Sequence, residues 1–262
     1  AFTQPEILRT NLASVILQMK GFGLGEVEQF PFIEPPTTRQ INSGLKALVE
    51  LGALNSKREL TAIGKQLVRL PVDPAHGRML LAAQQNSCLE EMLVIVSALA
   101  VQDPREFPAD ARQVAEQKHR RFWHPRSDFI AWLNLWVYYE EQREQLSQGK
   151  LRKLCQKELL SYTRMREWRD LHRQLLQNFR QLNRTKSKQA EKRQSSNEKR
   201  QVAIPVNMTG QLKAMVFQNP DIAAGDTQAL ATGSLCREIS TGLYERIHCS
   251  LLMGLPLQLG NK

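Results

Sequence analysis

Positive charge and aromatic rings occur together in one short stretch of the sequence. Lys118, Arg120 and Arg121 are followed directly by Phe122 and Trp123. Cationic side chains neutralise phosphates and aromatic rings stack on bases, so this composition suits contact with a nucleic acid strand. A solvated helix face is the alternative interpretation of the same residues. We take Lys118, Arg120 and Arg121 as candidate nucleic-acid contacts.

A second basic segment lies between residues 183 and 201, where the apolar pattern disappears into Lys, Arg, Gln, Ser and Asn. Such a segment cannot bury enough apolar surface to offset the entropy cost of ordering it, so we predict that it is disordered. It could still contact an RNA backbone by counterion release, without sequence preference. Its candidate contacts are Lys186, Lys188, Lys192 and Arg193.

Motifs that would bind or hydrolyse a nucleotide are incomplete. The glycines of 21–25 have no following Gly-Lys-Ser/Thr, so a helix end and turn explain them better than a phosphate loop does. The sequence Asp73-Pro-Ala-His76 has Pro74 where an Asp-Glu-Ala-His box needs a carboxylate to activate water beside magnesium. A helix that begins at Asp73-Pro74 is the simpler interpretation. We therefore predict no catalytic residue and no cofactor site in this chain.

The cysteines give no sign of a metal site or a disulfide framework. Cys88, Cys155, Cys236 and Cys249 are scattered, without a Cys-x-x-Cys pair or a histidine at ligand spacing. Reduced thiols of this kind are typical of a cytoplasmic protein, and no apolar run approaches the roughly 18 residues that cross a membrane. We therefore expect a cytoplasmic location, no bound metal and no membrane partner.

Composition favours a mainly α protein that attracts polyanions. Of 262 residues, 42% are hydrophobic and 6% aromatic, which excludes a fully disordered chain and favours helices over a strand-rich sandwich. Lys and Arg number 36 and Asp and Glu 26, for a formal net charge of +10. This balance raises the local concentration of nucleic acids or acidic membrane surfaces, but it does not select between them.

Three helical patterns and a polar turn fill the first 70 residues. In each pattern apolar residues recur every three or four positions after a residue that can cap a helix. The order of helix, helix, short hairpin and helix is the layout of a winged-helix domain. The predicted helix starts are Thr10 or Asn11, Thr37 or Thr38, and Thr61, and the predicted turn spans 55–58 between Leu54 and Leu60.

The next part of the sequence predicts a helical bundle. One pattern follows Ser127 or Asp128 and carries a stripe of aromatic and aliphatic residues, which at helical spacing indicates core packing more than base stacking. A further continuous helix is predicted from Leu151 to Leu182. The stripe consists of Phe129, Trp132, Leu133, Trp136 and Val137.

Several stretches of the sequence together resemble one protein family. They are PEILRTNLASVILQMKGFGLG from Pro5, LTAIGKQLVRLPVDPAHGRMLLAA from Leu60, CLEEMLVIVSALAVQDPREFP from Cys88 and EQKHRRFWHPRSDFIAWLNLW from Glu116. They are similar to the C-terminal helicase-associated region of DEAH-box ATP-dependent RNA helicases, and the last resembles the bacterial HrpA-type branch in particular. The resemblance covers about 5–182 and returns at 244–254.

The resemblance implies a domain order. A winged-helix domain is expected over 1–70, with 1–8 as the linker from a missing motor, and a ratchet-like helical bundle over 71–182. The polar, largely disordered insertion is expected over 183–241. A returning helix is expected over 242–262, truncated before an oligonucleotide-binding fold.

The resemblance also implies a function. The parent protein would unwind RNA at the expense of ATP, with ATP and magnesium held by motor domains that this chain lacks. The chain itself would be a non-enzymatic accessory fragment, with single-stranded RNA and the RecA-like motor domains as partners. Two alternatives stay open. One is a winged-helix DNA-binding regulator, although the candidate recognition helix offers only Arg39 and Lys46. The other is a docking scaffold for a separate motor chain.

Overall fold

The computed structural model describes residues 12–194 and 239–255, with the backbone alone for 183–194. Helices dominate these residues, and the β-structure among them is limited to two isolated bridges, Leu54 with Leu60 and Arg105 with Leu160. The predicted mainly α fold is thus confirmed. The described residues fall into two compact units, one within 1–88, 178–183 and 245–262 and the other within 89–177 and 184–244. The domain limits predicted from the sequence stay a prediction.

The first unit contains the three helices and the hairpin predicted for the first 70 residues, followed by a fourth helix. Between the second and third helices the chain makes the bridge from Leu54 to Leu60, and a short 3-10 helix lies at Val27–Gln29. The helices are α1 (Leu12–Phe22), α2 (Thr38–Glu50), α3 (Ala62–Leu67) and α4 (Pro74–Gln85).

Capping residues fix where these helices begin. Thr37 and Gln40 form a reciprocal capping box at the start of α2. The Thr61 hydroxyl accepts a hydrogen bond from the Gly64 amide at 3.0 Å, and the Asp73 carboxylate accepts one from the Ala75 amide at 2.8 Å. The starts predicted near Thr37 and at Thr61 and Asp73 are therefore confirmed. Each cap satisfies a backbone amide that has no partner inside its helix.

The second unit contains the two longest helices of the described residues and the candidate site. Its short 3-10 helix, Arg120–Phe122, continues directly from the helix before it. Its helices are α5 (Leu89–Leu99), α6 (Arg112–His119), α7 (Asp128–Gln145), α8 (Gln148–Lys157) and part of α9 (Tyr162–Gln194), and the last helix described in the chain is α10 (Thr241–Leu252).

Tryptophans form the centre of the second unit. Trp168 of α9 is fully buried, and its indole nitrogen donates to the Val94 carbonyl and the Ser97 hydroxyl, each at 3.0 Å. The rings of Trp132 and Trp136 on α7 lie 5.6 and 5.0 Å from the Trp168 ring. The aromatic stripe on α7 is therefore mainly core, as its helical spacing predicts, since four of its five residues are buried and Phe129 is half-buried.

The prediction of one continuous helix from Leu151 to Leu182 is wrong, because the helical structure is interrupted between α8 and α9. Leu159 has a left-handed backbone with φ of 55°, and Leu160 pairs with Arg105 across an antiparallel bridge. The Glu106 amide donates to the Leu159 carbonyl at 2.9 Å, and the Ser161 amide donates to the Pro104 carbonyl at 2.7 Å. A segment far away in the sequence thus competes successfully for the backbone groups of the helix.

The second difference lies at the far end of α9. We predicted disorder from residue 183, whereas the backbone stays helical as far as Gln194. The physical reason is that Lys, Arg, Gln and Ala have high helix propensity even where no apolar stripe exists. The rest of the predicted insertion, 195–238, lies outside the described residues, as do 1–11 and 256–262.

Candidate nucleic-acid interface

The predicted basic cluster lies against the carboxyl end of α8, which is the negative end of a helix dipole. The Lys118 ammonium donates to the Lys157 carbonyl, and the His119 ring Nε2 lies 3.0 Å from the Glu158 carbonyl oxygen. The Arg121 guanidinium donates to the Glu158 carboxylate at 2.7 Å. These residues satisfy acceptors that the end of a helix leaves open. Part of the cluster therefore has a structural role.

Arg121 is fixed by aromatic rings as well as by its ion pair. Its guanidinium carbon lies 4.7 Å from the centre of the Phe122 ring and 4.5 Å from that of Tyr138. Burial raises the pKa of the Tyr138 hydroxyl, although the nearby Arg121 charge opposes the shift. The side chain of Arg121 is only 24% exposed. Arg121 thus anchors the chain here and presents little of its charge to solvent.

His119 adds no charge to this surface near neutral pH. Its side chain is buried, with its ring 5.2 Å from that of Phe107. Burial lowers the pKa of the imidazole, and the hydrogen bond to the Glu158 carbonyl only partly opposes that shift. The imidazole is therefore neutral at pH 7 and serves to position the turn that follows it.

The side chains that remain accessible are Arg120 and Trp123. Arg120 is exposed and its guanidinium has no hydrogen-bond or ion-pair partner within the described ranges, while Trp123 is 55% exposed. Phe122, by contrast, is buried, and its carbonyl accepts a hydrogen bond from the buried Asn134 amide at 3.0 Å. Of the two aromatic residues noted in the sequence, Trp123 alone is available to stack on a base.

A second aromatic group joins this surface from a distant part of the sequence. The Arg126 guanidinium lies 4.7 Å from the centre of the Tyr244 ring, and the Tyr244 hydroxyl donates to the Arg126 carbonyl at 3.0 Å. The His124 ring lies 5.9 Å from the same tyrosine. Sequence reasoning missed Arg126 and Tyr244 as site residues. Only the positive charge close to Trp123 could have suggested Arg126.

We call Arg120, Trp123, His124, Arg126 and Tyr244 the ratchet surface, because four of these five residues lie in the predicted ratchet-like bundle, 71–182. It combines two exposed guanidinium groups with two aromatic rings, the groups that contact phosphates and bases in single strands. The other predicted contacts, Lys186, Lys188, Lys192 and Arg193, have backbones within α9, but their side chains lie outside what the structure describes. They stay a prediction, as do Lys118, Arg120 and Arg121.

The remaining chemical motifs have structural explanations. Gly23 and Gly25, with φ of 68° and 87°, follow the end of α1, and the Leu24 amide closes that end on the Met19 carbonyl at 3.0 Å. Asp73 caps α4. The glycine cluster is thus a helix end and a turn, and Asp73-Pro74 is a helix start, as interpreted from the sequence.

Among the described residues, no group of three or more His, Cys, Asp or Glu side chains lies close enough together to hold a metal ion. Cys88 and Cys155 are buried, Cys249 is exposed, and none of the three forms a disulfide, while Cys236 lies outside the described residues. Burial raises the pKa of the Cys155 thiol to about 11, so it stays protonated and unreactive at neutral pH. A membrane-crossing segment is also lacking among the described helices, none of which is both long and apolar enough.

Two family models match adjoining parts of this chain. Residues 44–72 match the winged-helix helicase-associated domain, and residues 73–132 match the ratchet-like helicase-associated domain. The chain contains both helicase-associated domains. The second match includes Arg120, Trp123, His124 and Arg126, so most of the ratchet surface lies in the ratchet-like domain.

Three proteins that are similar to this chain are named as ATP-dependent RNA helicases. An HrpA homologue of Haemophilus influenzae is 51% identical over 181 residues, and HrpA of Escherichia coli is 50% identical over 186 residues. These matches cover 66% and 69% of this chain but only 14% of each relative. A pre-mRNA-splicing ATP-dependent RNA helicase of Arabidopsis thaliana is 32% identical over 191 residues, which are 69% of this chain and 26% of that protein.

Proposed function

We propose that this chain is the RNA-binding accessory region of an ATP-dependent DEAH-box RNA helicase. Its helicase-associated domains would bind single-stranded RNA while RecA-like motor domains hold ATP and magnesium and move the strand. In this proposal the protein works in the cytoplasm, where its thiols stay reduced. The relatives named as RNA helicases support the proposal.

The observation that carries the proposal is the chemistry of the ratchet surface. Trp123 offers an aromatic face to solvent, and Arg120 and Arg126 place positive charge on either side of it in the sequence. The Arg121–Glu158 pair and the Asn134 hydrogen bond hold the backbone beneath it. An exposed aromatic ring on a fixed backbone, with cations close to it in the sequence, favours a strand whose bases are unpaired, because paired bases present no free face for stacking.

Replacing Trp123 by alanine should weaken binding to a fluorescein-labelled oligouridylate about 5- to 150-fold, since stacking contributes roughly 1–3 kcal/mol per base. The measurement is fluorescence anisotropy at fixed ionic strength, because affinity for nucleic acid depends steeply on salt. Folding should be unaffected, since the indole is largely outside the core.

Trp123→Phe is the matched control, because it retains an aromatic face at the same position. It should recover most of the lost affinity, whereas a role that depends on the indole N–H predicts that phenylalanine behaves like alanine. Equal affinity of the wild type and the alanine variant would contradict the proposal. A clear preference for duplex DNA over single-stranded RNA would support the winged-helix regulator instead, although Lys46 of its recognition helix α2 pairs with Glu50 at 3.8 Å.

The purified chain should show no ATPase activity, with or without RNA, because the proposal assigns ATP and magnesium to the motor domains. Phosphate release would be measured with magnesium and saturating oligouridylate. The control is the same assay with a complete helicase of this family, which should respond to RNA. Hydrolysis that rises with RNA in the isolated chain would reject the proposed division of labour.

A further inference from the structure

We propose that Lys150, Lys153 and Lys157 of α8 form a phosphate-binding stripe that extends the contact with single-stranded RNA beyond the ratchet surface. The inference rests on the proposed function and names a further contact for the same strand. None of these lysines is a predicted contact, and the helix predicted from Leu151 to Leu182 includes Lys153 and Lys157 but not Lys150.

The spacing of the three lysines places them on one side of α8. Residues three, four and seven positions apart are neighbours on a helix surface, so Lys150, Lys153 and Lys157 follow one another along the axis. They span about 10 Å at 1.5 Å of rise per residue. All three lysines are exposed, whereas Leu151 and Cys155 lie on another side of the same helix and are buried. The stripe therefore faces solvent while the helix is held by its core contacts.

The stripe keeps its charge because no carboxylate in the described chain neutralises it. The sequence of α8, QGKLRKLCQK, contains no acidic residue. The acidic residue that follows it, Glu158, is engaged by Arg121 at 2.7 Å. Within the described ranges none of the three ammonium groups forms an ion pair or a hydrogen bond. Three unneutralised cations in a row attract a polyanion with regularly spaced charges.

The stripe is connected to the ratchet surface through the end of α8. Lys118 donates to the Lys157 carbonyl, and Arg120 lies two residues further along the chain. An ammonium group has three donors, so Lys118 keeps two of them after this bond. Positive charge therefore runs from the lysines of α8 through Lys118 to the chain that carries Trp123.

The chemistry favours an RNA backbone over an acidic protein partner. Protein interfaces depend on buried aromatic or arginine anchors within well-packed pockets. The stripe consists of lysines alone, which are flexible point charges suited to phosphate contact without base recognition. Trp123 and Tyr244 would stack on bases while the stripe neutralises phosphates further along the strand.

The test is the salt dependence of oligouridylate binding to the full chain, for the wild type and for K150Q/K153Q/K157Q. Each phosphate contact on a single strand contributes about 0.7 to the slope of log affinity against log salt, so loss of three contacts should reduce the slope by about 2. Glutamine is a good helix former, and circular dichroism should show that α8 persists.

The matched control removes the same charge elsewhere. Arg39, Lys57 and Lys65 are exposed cations of the first unit, and R39Q/K57Q/K65Q should leave the slope within about 0.7 of the wild-type value. An unchanged slope in the α8 variant, or an equal reduction in the control, would overturn the stripe. So would strong competition by polyglutamate, which would indicate an acidic protein site. If W123A weakens binding while the α8 variant does not, the stripe fails and the proposed function stands. If the wild type does not bind RNA, both fail.

Discussion

Replacing Trp168 by alanine should reduce the free energy of unfolding by about 3–5 kcal/mol, the largest stability effect that we expect in the second unit. The indole is fully buried and packs against Trp132 and Trp136, so truncation leaves a cavity in rigid surroundings. It also removes the donor that serves the Val94 carbonyl and the Ser97 hydroxyl. Urea unfolding followed by circular dichroism would measure the loss.

Trp168→Phe separates packing from hydrogen bonding. Phenylalanine retains an aromatic ring but no donor, so we expect about half of the loss caused by alanine. Tryptophan fluorescence is unsuitable here because the substitution itself changes the signal. A loss below about 1 kcal/mol for Trp168→Ala would mean that this indole is not the centre of the core.

Replacing Glu158 by alanine should lower the free energy of unfolding by about 2–3 kcal/mol. This is less than the loss expected when a fully buried ion pair is broken, because both Arg121 and Glu158 keep some solvent contact. The change leaves the Arg121 guanidinium without its anion while Phe122 and Tyr138 still hold it in place. The turn that carries Trp123 should loosen as a result. We therefore expect weaker RNA binding as well, measured by the same anisotropy titration after urea unfolding has quantified the stability.

Two further variants separate the causes. Glu158→Gln keeps an acceptor for Arg121 but not the charge, so its loss should be about half that of alanine. Glu28→Ala removes the partner of Arg58 from an ion pair whose side chains are 50% and 41% exposed, and it should cost less than about 1 kcal/mol. If Glu158→Ala costs no more than Glu28→Ala, the Arg121–Glu158 pair does not anchor the turn.

The ratchet surface depends on an interruption of helical structure. Because the chain leaves the helix after Lys157, the Glu158 carbonyl and carboxylate become available to His119 and Arg121. The turn that follows these residues then exposes Trp123 and buries Phe122. The few residues between α8 and α9 therefore stabilise the second unit and also position Trp123, so a small backbone change there should affect both stability and the proposed RNA binding.

The sequence by itself determined the helical fold, the helix starts at Thr37, Thr61 and Asp73, and the core role of the aromatic stripe. These features follow from local rules, since a capping side chain bonds an amide two or three residues away and an apolar face repeats every 3.6 residues. Thr37, Thr61 and Asp73 cap helices where their types and positions predict it. The family resemblance was also readable, because several long stretches carry it.

The tertiary structure alone decided the helix break at Leu159, the structural use of Arg121 and the pairing of Arg126 with Tyr244. Each depends on partners far apart in the sequence: the Arg121–Glu158 pair is separated by 37 residues and the Tyr244–Arg126 hydrogen bond by 118. Residue type states what a side chain can bind but not which group folding brings to it. A backbone amide or guanidinium bonds the acceptor that the packed helices place within reach, and that placement follows from the packing of the whole unit.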